Sequence, residues 1–402
     1  MSTAASPATP PAPIAPISRG LIALMATATG LIVANLYYAQ PLIGPISAAT
    51  GLTAGAAGLI VTLTQLGYCL GMLFIVPLGD LLENRRLIFI ALLATACALL
   101  VAAFAGSAPL FLAASLCIGL GSVAAQVLVP FAAHLSPPET RGQTVGTVVS
   151  GLLLGIMLAR PVSSLLTDWF GWHAVFALSS AGMAALAFVL RAKLPQRQPV
   201  HTHSYGTLLA SLWHLLKSTP VLRRRAEHAG LIRGAFSLFW TAVPLELASP
   251  AFGLSQTGIA LFALAGVAGA IASPLAGRRA DQGKTRSTTA MALAAGVIAF
   301  GMPLLLHGGR LFDLGLLVVV AIVLDMGVSA SLVVGQRSIF ALGEQVRSRL
   351  NGLFMAIFFV GGAIGSSLGA WMFAAHGWHG VLLAGLLFPL AGLAVYSTEA
   401  RS

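Results

Sequence analysis

The chain has 402 residues, of which 57% are hydrophobic and only 8% are charged, and its formal net charge is +11. A soluble domain of this length could not cover its surface with so few charged side chains, so the composition excludes a soluble globular protein. In a soluble protein the positive charge would suggest nucleic-acid binding. In a membrane protein it marks cytoplasmic loops, and we predict a lipid bilayer around the chain and no nucleic-acid partner.

A membrane-spanning helix takes about 20 apolar residues, and the apolar stretches of this chain predict twelve such helices with short loops. The predicted spans are 20–40, 56–79, 86–105, 109–133, 143–166, 172–190, 228–248, 255–277, 288–306, 312–336, 350–375 and 378–397.

The basic residues are distributed asymmetrically over the loops. Nineteen of the 22 Lys and Arg residues fall in alternate connections and at the two ends of the chain. Arg310 is the one basic residue in the other connections, and Arg160 and Arg233 lie inside apolar spans. By the positive-inside rule, this distribution predicts a multi-pass protein with both termini in the cytoplasm. We expect the membrane to be a bacterial inner membrane.

The second half of the chain repeats features of the first. Gly171-Trp172-His173 opens the sixth predicted span and Gly377-Trp378-His379 opens the twelfth, an offset of 206 residues that also relates Gly155 to Gly361. Two similar half-bundles that tilt about a shared central site are typical of secondary transporters. We therefore predict an all-α membrane protein built from two pseudo-symmetric six-helix bundles.

The repeat and the loop pattern also predict the division of the chain. The expected segments are a disordered cytoplasmic tail over 1–19, an N-terminal bundle over 20–190, a cytoplasmic linker over 191–227, a C-terminal bundle over 228–397 and a cytoplasmic tail over 398–402. Within the linker, leucines at helical spacing beside Trp213 predict either an amphipathic helix on the cytoplasmic leaflet or an ordinary solvated connection.

The loop between spans two and three reads VPLGDLLENRR over residues 76–86. It resembles the G-x-L-x-D-R-x-G-R-R loop of the major facilitator superfamily, and PLAGRRADQG in the second half is similar to that family's variant of the same loop. With twelve spans and the internal repeat, the resemblance covers nearly the whole chain. The loop departs from the pattern at Val76, Leu81 and Glu83, where the family has Gly, a basic residue and Gly.

The resemblance implies a conformational latch in these loops. Charge contacts that are made in one conformation and broken in the other bias a bundle with two states. The family assigns that role to Asp80, Arg85 and Arg86, and Asp281 holds the matching place in the second half. The alternative is a solvated turn whose arginines only follow the positive-inside rule.

Ionisable residues at membrane depth are costly, so they are candidates for function. Asp325 lies near the middle of span ten, and we predict that it carries a proton or contacts substrate, the alternative being a static ion pair. Arg160, in span five, is predicted to couple with it, to contact an anionic substrate, or to reach the interface as a structural residue. The same span resembles the glycine-rich element of the superfamily's antiporters, with Ile156 in place of Pro.

In the superfamily, spans one, four, seven and ten line a central cavity. The resemblance places these polar and aromatic residues around it: Asn35, Tyr38, Gln126, Trp240 and Asp325. Glu246 is predicted for the same cavity, although it could also reach interfacial water. For the tyrosines, an aromatic belt at the membrane surface is the competing explanation.

The sequence contains no Walker loop, HExxH motif or paired CxxC spacing, so we predict a protein that is not an enzyme and needs no cofactor or metal. The resemblance to the twelve-span drug–proton antiporter branch implies proton-coupled export of a small organic molecule. Import or facilitated passage of a small metabolite, such as a sugar, amino acid or organic anion, is the second hypothesis. A non-transporting membrane sensor is the third.

Overall fold

The computed structural model describes residues 18–137, 139–197, 204–306, 308–343 and 346–398. Across these residues the chain forms helices joined by short turns, and no strand is present in the described ranges. The predicted tail over 1–19 falls almost entirely outside the described residues, as do the last four residues of the chain. The prediction of an all-α protein is confirmed.

The first half of the chain supplies six spans. They are span 1 (Arg19–Ala34), span 2 (Leu59–Phe74), span 3 (Asn84–Ala103), span 4 (Ala108–Ser122 and Ala124–Leu135), span 5 (Arg141–Phe170) and span 6 (Trp172–Lys193).

The second half supplies six more, after a helix in the linker, Tyr205–Ser218. They are span 7 (Pro220–Ala248), span 8 (Gln256–Ala263 and Ala268–Asp281), span 9 (Thr285–Leu305), span 10 (Arg310–Phe340), and spans 11 and 12, which together form Arg347–Thr398.

Twelve crossings follow from these lengths. Nine helices in the described residues are long and apolar enough to cross a membrane, and Arg19–Ala34 and Gln256–Val267 are shorter apolar helices. The helix Arg347–Thr398 has 52 residues and is interrupted at Gly377, whose φ of 62° is accessible to glycine at little cost. It therefore accounts for two crossings. With it, the described residues contain all twelve spans that the apolar stretches predict.

Two predicted boundaries are wrong. Span 1 ends at Ala34 and not at residue 40, and after a turn the chain continues in a short 3₁₀ helix, Gln40–Leu42, and a separate helix, Ile43–Thr50. Span 7 begins at Pro220 and not at residue 228. Proline is favoured at the first helical position, so the cytoplasmic linker predicted to reach residue 227 already belongs in part to the helix.

The internal repeat has a geometric counterpart. Gly171 (φ 80°) and Gly377 (φ 62°) form the tight reversals between spans 5 and 6 and between spans 11 and 12. A Cβ on Gly155 would lie 2.1 Å from the Gly30 carbonyl oxygen in span 1, and a Cβ on Gly361 would lie 2.1 Å from the Gly230 carbonyl oxygen in span 7. Each half thus relies on the same close helix approach, which only glycine permits.

The linker helix packs against both halves of the protein. Its Tyr205 hydroxyl donates to the Phe74 carbonyl at 2.8 Å, and Arg349 of span 11 donates to Ser211 at 2.9 Å. Leu208 and Leu212 are buried against the bundle. The linker therefore contains a helix whose leucine face is turned toward protein, and its contact with the cytoplasmic leaflet stays a prediction. The end of the bundle beside this helix is called the linker end, and the other is the opposite end.

The halves are in direct contact toward the opposite end. In spans 2 and 11 the Thr62 hydroxyl donates to the Ala363 carbonyl at 3.0 Å, and the Ser366 hydroxyl donates to the Gly58 carbonyl at 3.3 Å. Thr257, at the start of span 8, donates to Asp168 in span 5. Toward the linker end, a cavity of about 220 Å³ separates the halves. This conformation is closed at one end and hollow at the other.

Candidate functional site

Asp325 lies at the centre of the protein, where the two halves meet. Its residue is 7% exposed, and its Oδ2 accepts a hydrogen bond from Trp240 Nε1 at 2.8 Å. Span 10 runs for 31 residues with Asp325 near its midpoint, and span 7 supplies Trp240. The carboxylate is thus held at membrane depth by a donor that belongs to the same half.

Arg160 reaches the same place from span 5 of the first half. Its guanidinium stacks 4.2 Å from the centroid of the Trp240 ring, and its Nε donates to Gln40 Oε1 at 2.7 Å. The residue is 2% exposed, and its Nη2 is buried without a hydrogen-bond partner. A guanidinium over an indole face is a favourable arrangement, and Trp240 therefore holds Arg160 on its face and Asp325 at its edge.

A glycine leaves room for both charged groups. A Cβ on Gly266, between the two helices of span 8, would lie 3.3 Å from Arg160 Nη1 and 3.3 Å from Asp325 Oδ1. The two side chains face each other across this position, and they interact electrostatically. They do not form a direct ion pair, because no Arg160 nitrogen lies within 4.0 Å of the Asp325 carboxylate.

A second buried arginine, Arg233 of span 7, completes the cluster. It is 3% exposed, and its Nη2 lies 3.4 Å from the Tyr37 hydroxyl and 3.5 Å from Gln65 Oε1. Its guanidinium lies 5.1 Å from the Phe358 ring and 5.3 Å from the Phe359 ring. The Nε of Arg233, like Nη2 of Arg160, is buried without a partner.

The two arginines share an aromatic wall. The guanidinium of Arg160 lies 5.3 Å from the Tyr37 centroid and 5.1 Å from Phe236, and that of Arg233 lies 5.5 Å and 4.7 Å from the same rings. Neither guanidinium has a carboxylate oxygen within 4.0 Å in the described part of the chain. Two buried cations and one buried carboxylate leave one positive charge uncompensated, which is costly in a low-dielectric interior.

The cavity at the linker end approaches this cluster through an aromatic pair. Gln126 of span 4 lines the cavity and donates to the Tyr68 hydroxyl at 2.9 Å. The Tyr68 ring packs 4.7 Å from Phe359, which in turn contacts Arg233. Tyr68 and Phe359 come from different halves, and they stand between the cavity and the charged cluster.

The other residues predicted for the central cavity lie elsewhere. Ser179 of span 6 donates to Asn35 Oδ1 at 2.6 Å and also hydrogen-bonds with Tyr38, so both side chains are engaged within the first half. Glu246 is half-buried near the opposite end of span 7 and takes no part in the cluster. The structure brings together Asp325, Arg160 and Trp240, and it puts Gln126 at the entrance.

Among the predicted latch residues, Asp80 lines the cavity at the linker end. Arg197 and Arg349 line it too, and their charges both act on the Asp80 carboxylate. Arg85 pairs with Glu83 at 3.6 Å, and Arg86 is exposed. The side chain of Asp281 lies outside the described part of the chain. The role of these residues as a latch stays a prediction.

Sequence reasoning missed Arg233 and the rings around it. Arg233 lies five residues after the start of the predicted span 228–248, but the helix begins at Pro220, so Arg233 lies near its middle. The ring of Phe358 in span 11 lies 5.1 Å from the Arg233 guanidinium, and no pattern near Phe358 in the sequence indicates this contact. The proline after Thr219 was the signal that could have corrected the depth of the arginine. Within the described residues, no group of three or more His, Cys, Asp or Glu side chains could hold a metal ion.

A helical membrane bundle with a charged, buried cluster between two similar halves is typical of secondary transporters. The family model described as "Major Facilitator Superfamily" matches residues 23–341 and 229–401 of this chain. The chain belongs to the Major Facilitator Superfamily, and it is a transporter and not an enzyme.

Relatives of known sequence agree with this assignment. The chain is 41% identical to "Uncharacterized transporter YgaY" of Escherichia coli O157:H7, over 94% of this chain and 95% of that protein. It is 24% identical to "Chloramphenicol resistance protein" of Streptomyces lividans, over 66% of this chain and 67% of that protein.

Among solved structures, the fold is similar to that of a bacterial homologue of the human lysosomal transporter Spinster, in an inward-facing and occupied conformation. The TM-score is 0.77 at 15% identity, and the match covers 95% of this chain and 96% of that one. At this identity the likeness concerns the fold alone.

Proposed function

We propose that this protein is a proton-coupled secondary transporter of a small organic molecule, in which Asp325 carries the proton. The position of Asp325 supports the proposal, because the two halves place different groups beside it. Its own half supplies a neutral hydrogen-bond donor and the other half supplies a cation. Trp240 belongs to the same half and Arg160 to the other. A rocking motion that separates the halves therefore changes the charge next to the carboxylate while its hydrogen bond stays in place.

The proposal includes the orientation predicted from the basic loops. With both termini in the cytoplasm of a bacterial cell, the linker end faces the cytoplasm and the cavity of about 220 Å³ opens inward. The contacts of Thr62 and Ser366 across the halves then close the periplasmic side. Separating these contacts and closing the mouth beside Asp80 would produce the alternate state, in keeping with a latch at that place.

Export in exchange for protons is the first candidate for direction. Its support is the resemblance of the loops and of span 5 to the drug–proton antiporter branch, together with the similarity to a chloramphenicol resistance protein. Exchange requires that binding of the substrate and binding of the proton oppose each other.

Uptake of a small organic anion is the second candidate, and one observation favours it. Arg160 and Arg233 outnumber the single carboxylate of the cluster, and each has a buried nitrogen without a partner. A positively charged site attracts an anion and repels an organic cation. The charge of the substrate therefore decides between the two candidates.

The test is transport by the purified protein in liposomes with an imposed pH gradient. Sugars, amino acids, organic anions and drug-like cations would be supplied in turn, with right-side-out and inverted protein examined separately. Accumulation that follows the pH gradient supports proton coupling, and its sign gives the direction. Binding of substrates without any transport would overturn the proposal in favour of a membrane sensor.

A further inference from the structure

The charge balance of the central cluster points to the chemical class of the substrate. We infer that the site binds a small carboxylate anion between Arg160 and Arg233, and that the anion and the proton cross the membrane together. This inference rests on the proposed function, since it assumes transport with Asp325 as the proton carrier. Of the two candidate functions, it favours uptake of a small organic anion over export in exchange for protons.

Two guanidinium nitrogens of the cluster, one on each arginine, have no hydrogen-bond acceptor. Arg160 Nη2 and Arg233 Nε are buried without partners, although both residues are at least 97% inaccessible to solvent. A buried N–H of a guanidinium costs free energy when it is left without an acceptor. Planar oxygens of a carboxylate are the acceptors that match the guanidinium best, because both groups are flat and of opposite charge.

The two arginines are held by uncharged side chains. Tyr37 and Phe236 lie against both guanidinium groups, and Gln40 and Gln65 accept hydrogen bonds from Arg160 and Arg233. Neutral partners and aromatic faces fix the geometry of the arginines without cancelling their charge. A site intended only to pair the arginines would require a second carboxylate, and the described part of the cluster offers Asp325 alone.

The rings around the arginines limit the size and shape of the substrate. Aromatic rings occupy the space around the arginines, and a Cβ on Gly266 would already lie 3.4 Å from the Trp240 ring. A molecule that reaches the arginines must therefore pack against these rings, so we expect a compact substrate with an apolar body and a single anionic end. A large lipid or a polyanion does not fit this description.

The coupling of anion and proton follows from the same charges. The charged and titratable groups that act on Asp325 in the described residues are Arg160 and Arg233, and Tyr37 lies beside both arginines. When Asp325 takes up a proton, the cluster gains one unit of positive charge, so it binds an anion more tightly. By linkage, the bound anion also favours the protonated carboxyl, and the two ligands travel in the same direction.

The first experiment compares probes that differ in charge but little in shape. The full-length protein in detergent is heated with benzoate, with its amide benzamide or with benzylamine, and with lactate and nitrate as further anions. Because the site is cationic, we expect benzoate or lactate to raise the unfolding temperature and to bind at least about tenfold more tightly than the neutral or cationic probes. Stabilisation by benzylamine, by nitrate alone, or by no carboxylate would overturn the inference.

The second experiment removes the donors one at a time. Arg160→Gln and Arg233→Gln should each weaken carboxylate binding by about tenfold or more, and Arg160→Lys, which keeps the charge but not the planar fork, should fall between. Carboxylate binding that is unchanged in both glutamine variants would contradict the inference. If a variant does not fold, the comparison of probes on the native protein still decides the matter.

The third experiment separates the inference from the proposed function. Benzoate should bind more tightly to the native protein as the pH is lowered in a range where benzoate stays ionised, and Asp325→Asn should bind it without this dependence. Saturable carboxylate transport that ignores a pH gradient would keep the anion site and remove the proton role of Asp325. Transport of benzylamine driven by a pH gradient would keep proton coupling and overturn the anion site.

Discussion

Trp240 donates its indole N–H to Asp325 across 2.8 Å, and both residues belong to the second half of the protein. The face of the same indole carries the guanidinium of Arg160, which comes from the first half. In the proposed rocking motion the hydrogen bond would stay and the stacking would break. Under that proposal Trp240 relays the position of the halves to the buried carboxylate.

The first prediction concerns this carboxylate. Asp325→Asn preserves the size of the side chain and can still accept the N–H of Trp240, but it cannot gain or lose a proton. We expect accumulation driven by a pH gradient to fall to the level of empty liposomes, while exchange of labelled for unlabelled substrate persists within about tenfold of the native rate. Liposome transport with and without the gradient measures both quantities.

The matched control is Asp313→Asn. Asp313 lies in the first turn of the same span, where its carboxylate accepts a hydrogen bond from the Gly308 N–H at 3.0 Å. We expect this variant to retain gradient-driven transport. Full gradient-driven accumulation by Asp325→Asn would show that the proton is carried elsewhere.

The second prediction concerns the glycine that separates the charged groups. In Gly266→Ala the new methyl group would lie 3.3 Å from atoms of both Arg160 and Asp325, so these side chains must shift. We expect transport to fall by about tenfold, because small displacements at a binding site are costly, with a change in unfolding free energy of about 1 kcal/mol or less.

Gly182→Ala is the control for the general effect of replacing a helical glycine. A Cβ at Gly182, in span 6, would meet nothing within 4 Å. This variant should transport normally and be slightly stabilised, since alanine is the better helix former. Equal transport by the two variants would mean that Gly266 does not border the working site.

The spans and the repeat were predictable because they depend on patterns that the sequence carries locally. Apolar stretches interrupted by basic loops gave the helices, and the matching tripeptides at Gly171 and Gly377 gave the duplication. Glycine at these two positions has a positive φ, a requirement that is visible in sequence. The boundary at Pro220 was missed because the helix begins in a charged stretch that precedes the apolar residues, and the boundary at Ala34 was missed because no charged residue marks the end of that helix.

The central site was only partly predictable. Asp325 and Arg160 stood out because charges within apolar spans are rare, and the structure brings them to one place. Arg233 carried the same signal, but its depth depends on a helix end that hydropathy does not define. The aromatic wall of Tyr37, Phe236 and Phe359 could not be found, because contacts between distant spans have no local pattern.

The third prediction concerns the closed end. A Cβ on Gly58 would lie 2.4 Å from the Ser366 carbonyl oxygen and 2.9 Å from the Ala370 Cβ, so any side chain there forces spans 2 and 11 apart. Gly58→Ala should therefore shift the population toward the state that is open at the opposite end. Spin labels at the exposed positions 169 and 311, in different halves, would report the longer distance.

Gly55→Ala serves as the neighbouring control, because its Cβ would meet only the Trp371 ring at an ordinary 3.7 Å. The distance distribution of this variant should match that of the native protein. An unchanged distribution in Gly58→Ala would mean that the contact of spans 2 and 11 does not set the balance between the two states.

The fourth prediction concerns the mouth of the cavity. Asp80 is the acidic side chain that lines it among the described residues, and it faces the charges of Arg197 on the linker and Arg349 on span 11. Asp80→Ala removes an attraction between parts that move relative to one another, while the central cluster is untouched. We expect the turnover rate to fall by about tenfold and the substrate affinity to change by less than about threefold.

Glu139→Gln, which changes an exposed carboxylate at the same end, should leave both quantities unchanged. An unaltered turnover rate in Asp80→Ala, or an equal loss in both variants, would remove the latch role from Asp80 and leave only a general effect of surface charge.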